Sequence, residues 1–262
     1  MNIHNQAMKY HNCVLVTGAA QRIGRSIALG FAKRKWFVVI HYHQSRQAAD
    51  NLVHHIQEIG GKALAIKADL SNIPETEELI KQTNRAIGQP ITCLVNNASI
   101  FERDEAGTVT NQSWHRHLQI NLHAPFILSQ EFYRQLPPKI PGHIINIIDQ
   151  RVLCLTPYFT SYTVSKSALW TLTQTLALAW APYIRVNAIG PGPTLPSVRQ
   201  TLQQFEAQYS TMPLQRAVTP EEISHTVQFL IDTPSITGQM IALDSGQHLG
   251  WNNPSKKDMV ME

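Results

Sequence analysis

Cys13-Val14-Leu15-Val16-Thr17-Gly18-Ala19-Ala20-Gln21-Arg22-Ile23-Gly24-Arg25-Ser26-Ile27-Ala28 is the stretch on which the fold turns. Its first five residues are apolar and rich in β-branched side chains, which predicts a strand over Cys13–Thr17. Its last part opens an amphipathic helix over Arg22–Arg34, with Ile23, Ile27, Leu29, Phe31 and Ala32 on one stripe. Between them lies a turn with Gly18 and Gly24. Such a turn lets backbone approach a diphosphate, while the helix N-terminus offers N–H groups and positive potential. The glycine spacing is not that of a mononucleotide P-loop, and Arg25 stands where that loop needs lysine. A glycine turn into a helix is also an ordinary structural device. Its place in the first strand–helix unit is what favours a dinucleotide site.

Outward from this stretch, strand and helix patterns alternate. Strands are predicted at Phe37–Tyr42, Leu64–Ala68, Ile91–Val95, Ile144–Ile148, Arg185–Ile189 and Met240–Leu243. Helices are predicted at Ala48–Ile59 (closed by Gly60-Gly61), Pro74–Ile87 (ending at Gly88), Ser113–Leu136 (bent near Pro125), Phe159–Ala181 and Pro220–Ile231. Parallel strands need crossover helices, so the expected fold is α/β: a Rossmann-like, doubly wound parallel sheet of about seven strands with helices on both faces. One domain is expected over 1–262, with polar tails at 1–11 and 252–262 and an irregular substrate loop over 190–219.

Composition narrows the class. Of 262 residues, 43% are hydrophobic and 15% charged, against a usual charged share of about 25%, which argues against a disordered polyelectrolyte. The net charge of +4 is scattered, which suits a phosphorylated small molecule as well as nucleic acid. No apolar run spans a bilayer and no signal peptide is evident, and Cys13, Cys93 and Cys154 form no CxxC pair. A cytoplasmic protein is expected, with no membrane or nucleic-acid partner. The twelve histidines do not suggest a metal. His115 and His117 diverge on a helix, as do His54 and His55. Glu102-Arg103-Asp104-Glu105 reads as a solvated loop.

Tyr162 and Lys166 lie four apart on a predicted helix and so share a face. An ammonium near a phenol favours the phenolate and makes the phenol a better proton donor. Alone, such a pair usually only packs. In order along the chain, however, stand TGxxxxxG at 17–24, Asn96-Asn97-Ala98, Asn121, Tyr162-x-x-x-Lys166 and Pro191-Gly192. This set resembles the short-chain dehydrogenase/reductase family over about residues 10–250.

Three stretches narrow the resemblance to pteridine reductases and dihydromonapterin reductases: TGAAQRIGRSIA, His41-Tyr42-His43-Gln44-Ser45, and Asn96-Asn97-Ala98-Ser99-Ile100-Phe101. The family's usual serine before the tyrosine is replaced by Asp149, as in pteridine reductases. A hydroxyl donates to a developing oxyanion, whereas a carboxylate repels it and suits a substrate presenting N–H groups. A structural cap is the plainer reading of Asp149.

The resemblance implies NADPH as cofactor and a pterin as substrate. It implies Tyr162, Lys166, Asp149 and Asn121 as catalytic residues, with Asn121 holding Lys166 or its water. Cofactor contacts would come from Gly18, Arg22, Ile23, Gly24, His41, Tyr42, His43, Ser45, Asp69, Leu70, Asn97, Ala98, Tyr162, Lys166, Pro191 and Gly192. Arg22, His41 and Ser45 would meet the ribose phosphate, because no carboxylate ends the second strand. Asp69 and Leu70 would meet the adenine. Ser99, Phe101, Asp149 and Tyr162 would bind substrate, Phe101 stacking on the pterin, and Gly192–Met212 would close over it. The family also implies a homo-oligomer, a tetramer, using the apolar helix with Leu169, Trp170, Leu172, Leu176 and Trp180. Departures from the pattern are Gln44, where an arginine is common, and Asp244-Ser245-Gly246 in place of Asp-Gly-Gly. A ketone or 3-oxoacyl reductase on the same scaffold is the first rival, which Asp149 opposes. A non-catalytic NADPH-binding regulator is the second, which the intact Tyr162, Lys166 and Asn121 oppose.

Overall fold

The computed structural model describes residues 12–197 and 199–249, and the two polar tails expected from sequence lie outside them. Seven strands form one sheet: β1 (Cys13–Val16), β2 (Phe37–Tyr42), β3 (Lys62–Lys67), β4 (Cys93–Asn96), β5 (Gly142–Ile147), β6 (Ile184–Pro191) and β7 (Met240–Leu243). Their spatial order is β3-β2-β1-β4-β5-β6-β7, and every neighbouring pair is parallel. The order reverses direction between β1 and β4, and a crevice opens there beyond the strands' carboxyl ends.

Alternation along the strands builds two cores. Val14 and Val16 of β1 face α1 (Arg22–Lys33), α2 (Arg46–Glu58) and α8 (Pro220–Asp232), packing with Ile27, Phe31, Leu52 and Val227. Cys13 and Leu15 face the other way, against α3 (Ile73–Ile87), α5 (Ala124–Gln135) and α6 (Thr160–Trp180), with Leu79, Leu128 and Phe132. Side chains of this size contribute about 1.5–3 kcal/mol each when fully buried. Of α6, Leu176 is buried in the second core and Leu169 in a smaller cluster with Ile148 and Ala188, while Leu178 is 85% exposed.

Local chemistry sets the helix ends. Asn72 caps α3 through Glu75 N–H, and Gly88 closes it in the left-handed region at φ +74°. Thr219 and Glu222 form a capping box on α8. Two expectations need correction. The predicted helix 113–136 is three pieces: α4 (Asn111–Leu118), a π-turn (Gln119–His123) and α5. Pro125 has no N–H for the carbonyl four residues back, at Asn121, so the helix widens just before it. The 190–219 segment is not wholly irregular either. It holds α7 (Leu202–Ser210), opened by a capping box of Thr201 and Gln204.

Candidate active site

The first strand–helix turn is a cradle. Gly18 sits at φ +60°. A Cβ on Gly24 would lie 2.4 Å from the Gly18 carbonyl oxygen, so only glycine lets helix and turn approach this closely. The N-terminus of α1 has no side-chain cap and no acidic residue in its first turn, leaving its N–H groups to a ligand. The cavity above, about 440 Å³, is lined by this turn together with Tyr42, His43, Gln44, Ser45, Asn97 and Ala98. These residues and this open helix end fit a dinucleotide diphosphate.

Asn97 and Thr17 hold the cradle to β4. The Thr17 hydroxyl accepts from the N–H groups of Asn97 and Ala98, both at 2.9 Å, and the Asn97 amide donates to the Thr17 carbonyl at 2.8 Å. Thr17 begins the motif that flags the site, but its bracing role depends on β4 and has no local signal in the sequence.

His41 does not behave as a phosphate ligand. It is 2% exposed. Its Nδ1 accepts from Gly18 N–H and its Nε2 donates to the Ala68 carbonyl, both at 3.0 Å, so neither nitrogen is left for a ligand. Burial drives its pKa down to about 4, so it is a neutral strut that shapes the glycine turn. Leu70 is likewise buried in the core, and only its backbone is left for an adenine. Asp69 accepts from the Ser71 N–H and hydroxyl and lies 3.5 Å from His43. Arg22, itself at φ +54°, donates to the carbonyls of Leu195 and Pro196 and so ties the cradle to the substrate loop.

A second cavity joins the first and holds the residues with chemistry. Ile23, Phe101, Asp149, Tyr162, Lys166, Pro191 and Gly192 line it. A Cβ on Gly192 would lie 2.7 Å from the Asp244 Cα, which explains that glycine. Tyr162 is the third residue of α6, and its hydroxyl donates to Asp149 Oδ2 at 2.9 Å. Asp149 Oδ1 accepts from Arg151 N–H at 2.8 Å. The structural cap and the tyrosine partner are therefore the two oxygens of one carboxylate. Lys166 is buried and donates to the Ile147 carbonyl at 2.9 Å.

Burial raises the Asp149 pKa, against the pull of Arg151, Tyr162 and Lys166. Burial also pushes the Tyr162 phenol well above its ordinary range, and the Asp149 charge adds to the push. Lys166 is drawn down to about 8 by burial, which Asp149 opposes.

Asn121 sits in the π-turn, fully buried. Its Oδ1 accepts from Ile100 N–H and the Ser99 hydroxyl, and its amide donates to the Ile100 carbonyl and Ser165 Oγ. Its side chain fixes the loop after β4. Phe101 stacks on Phe159 at 4.2 Å and 15° and meets Tyr162 edge-on at 4.7 Å. Phe159 precedes α6 at φ +61°.

Asp104 is no solvated loop residue: it is 5% exposed. Its carboxylate accepts from Ser161 N–H at 3.1 Å, from the Ser161 hydroxyl, and from Ser113 Oγ at 3.0 Å. Burial raises its carboxyl, but these bonds outweigh it and hold the pKa below the usual range. His117, fully buried, accepts from Glu102 N–H at Nε2, so Nδ1 carries the proton toward Ser161 Oγ and the Ser113 carbonyl. The network ties the 101–105 loop to the start of the helix carrying Tyr162. Nothing in the local pattern marks Asp104, because its partners lie 9 and 57 residues away.

Residues 18–248 match a family model described as enoyl-(acyl carrier protein) reductase, of the short-chain dehydrogenase type. The chain belongs to the short-chain dehydrogenase/reductase family. Its scaffold is that of an oxidoreductase. The 3-oxoacyl-[acyl-carrier-protein] reductase of Synechocystis sp. is 33% identical over 236 residues, covering 88% of this chain and 95% of the relative. Among solved structures, FolM alternative dihydrofolate reductase 1 from Brucella suis, in complex with NADP, superposes with a TM-score of 0.89. It is 48% identical, and the match covers 93% of this chain and 97% of that one. A blue fluorescent protein from a metagenomic library, in complex with NADPH, reaches a TM-score of 0.84 at 28% identity, covering 90% of this chain and 97% of that one.

Proposed function

We propose that this short-chain dehydrogenase/reductase is an NADPH-dependent reductase of a pterin-type ring. The observation that carries the reading is the Tyr162–Asp149 hydrogen bond at 2.9 Å, in a cavity walled by Phe101. A carboxylate there suits a substrate that must take a proton on nitrogen, and an aromatic wall suits a flat heterocycle. The likeness to a dihydrofolate reductase solved with NADP supports both halves.

The nicotinamide, when bound, supplies the hydride. This chain's residues move the proton. While Asp149 is ionised, its charge holds the Tyr162 proton in place. Burial raises the Asp149 pKa, and when that carboxylate takes up a proton the hold is released. Tyr162 then gives its proton to the substrate nitrogen and is refilled through Asp149. The Lys166 ammonium steadies the phenolate between the two transfers. For the cofactor's 2′-phosphate, β2 ends in Tyr42 with no carboxylate after it, and Arg22, His43 and Ser45 are the available donors.

The 3-oxoacyl reductase likeness favours a second reading, reduction of a carbonyl. Where Asp149 is ionised it stands against that reading, since a carboxylate repels a developing oxyanion. The reading also includes self-association. Leu178 is exposed on α6, and half-exposed Tyr133 stacks on Trp180 at 5.1 Å, so apolar side chains on α5 and α6 are left for a second copy to cover.

The test is Asp149→Ser, assayed by NADPH absorbance with 7,8-dihydropterins and with simple ketones. Pterin turnover should fall by about 10²-fold or more, the usual scale for general acid–base groups. Unchanged pterin kinetics, or a wild-type enzyme that reduces only ketones, would reject the pterin reading.

A further inference from the structure

Arg151 lines the substrate cavity and Arg199 reaches its Phe101 wall, and neither side chain is within ion-pair distance of a carboxylate among the described residues. The Arg151 guanidinium carbon lies 5.2 Å from the Phe159 ring centroid. That of Arg199 lies 5.7 Å from the same ring and 5.2 Å from the Phe101 ring. They come from separate segments, one just after β5 and one from the substrate loop. Arg199 donates to the Phe101 carbonyl at 2.9 Å, and Arg151 donates to the Thr156 hydroxyl. Neither forms an ion pair among the described residues, whereas Arg34, Arg85, Arg116 and Arg216 each meet a carboxylate. The Arg151 Nε is buried without a hydrogen-bond partner. The cavity's own carboxylate, Asp149, has its two oxygens on the Arg151 N–H and the Tyr162 hydroxyl.

Two guanidinium groups held on one aromatic ring repel each other, and the ring's faces offset only part of that. An anion seated between them removes the repulsion and takes up their spare N–H groups in the paired geometry that guanidinium and carboxylate share. Phe101 walls the slot for a flat ring, Phe159 stacks on Phe101, Arg151 lines the same cavity, and Arg199 sits over the Phe101 ring. We propose that Arg151 and Arg199 bind a carboxylate on the substrate's side chain, so that the preferred substrate is a folate-type pterin with an anionic tail rather than one with a neutral polyol tail. This rests on the pterin reading above.

The test compares kcat/KM for 7,8-dihydrofolate and 7,8-dihydrobiopterin, whose tail is neutral, in the wild-type enzyme, Arg199→Gln and Arg151→Gln. The wild type should favour dihydrofolate. The dihydrofolate-to-dihydrobiopterin ratio should fall roughly 10-fold in each variant, chiefly through the KM for dihydrofolate, the scale of one charge-assisted hydrogen bond. A ratio unchanged in both variants overturns the proposal, as does a wild type that prefers dihydrobiopterin. A parallel titration of the NADP-loaded enzyme with p-aminobenzoyl-glutamate, the tail without the pterin, separates the two claims. If neither pterin is reduced, the pterin reading fails. Tail binding that weakens about 10-fold in Arg199→Gln still supports the arginine site, and tail binding identical in both proteins overturns it.

Discussion

Tyr162 and Asp149 share one hydrogen bond, and the direction of its proton governs what substitution should do. Tyr162→Phe removes the hydroxyl that donates to Asp149 but leaves the cradle around Gly18 and Gly24 untouched. Turnover should fall by about 10²–10⁴-fold while NADPH binding, followed by fluorescence titration, stays near wild type. A loss under threefold would make Asp149 the direct acid. Lys166 supplies a pH signature. Its pKa is drawn down to about 8 by burial, so the ammonium is complete below that value and lost as pH rises through it. Activity that needs the charge should therefore decline above about pH 8. In Lys166→Arg the guanidinium stays protonated, and the residual activity should hold flat across that range. A wild-type profile flat to pH 10 would remove Lys166's charge from the mechanism.

The start of α6 is where loop and chemistry are joined. Asp104 takes up the Ser161 N–H and hydroxyl, and Ser161 immediately precedes Tyr162. Asp104→Asn removes the charge from this junction and leaves a buried amide with donors facing donors. It should cost about 1–3 kcal/mol in thermal or denaturant unfolding. It should also raise substrate KM, because the 101–105 loop carries the wall that Phe101 supplies. Wild-type stability and KM in this variant would leave Asp104 as simple filler. Such junctions also mark the limit of sequence reading. The strands and most helices are legible because apolar alternation and helical stripes are local, and the glycine turn, Tyr162, Lys166 and Asp149 are legible because their spacing is. His41 misleads because a strand-end histidine looks the same whether it faces solvent or turns inward to Gly18 and Ala68. The side-chain partners of Asn121 depend on a π-turn that has no local mark in the sequence. Asp104 and Arg199 acquire their meaning only from contacts between segments far apart in the chain.

At the scale of the whole molecule, Leu178 and the Tyr133–Trp180 stack leave apolar surface on the outer side of α5 and α6. Covered by a second copy, that face would lower the solvent-exposed apolar area of both. Light scattering at micromolar concentration should give a mass above that of one chain, with a tetramer expected by family likeness. Leu178→Glu should shift the population toward smaller species without altering the far-ultraviolet circular dichroism. A wild-type mass of one chain would end this expectation.

The π-turn at Gln119–His123 carries a consequence of a different kind. Each residue advances a helix by about 100°. One surplus residue wound into the turn therefore puts the two flanking helices out of phase by about that angle. The front helix aims His117 at the loop beside the substrate, and the rear one aims Leu128 and Phe132 into the sheet. A straight helix of the same composition could satisfy one aim only. Removing a single residue here would rotate either the core stripe into solvent or the loop anchors away from the site. The bulge thus works as a vernier, setting the angular offset between packing and chemistry in steps of one residue.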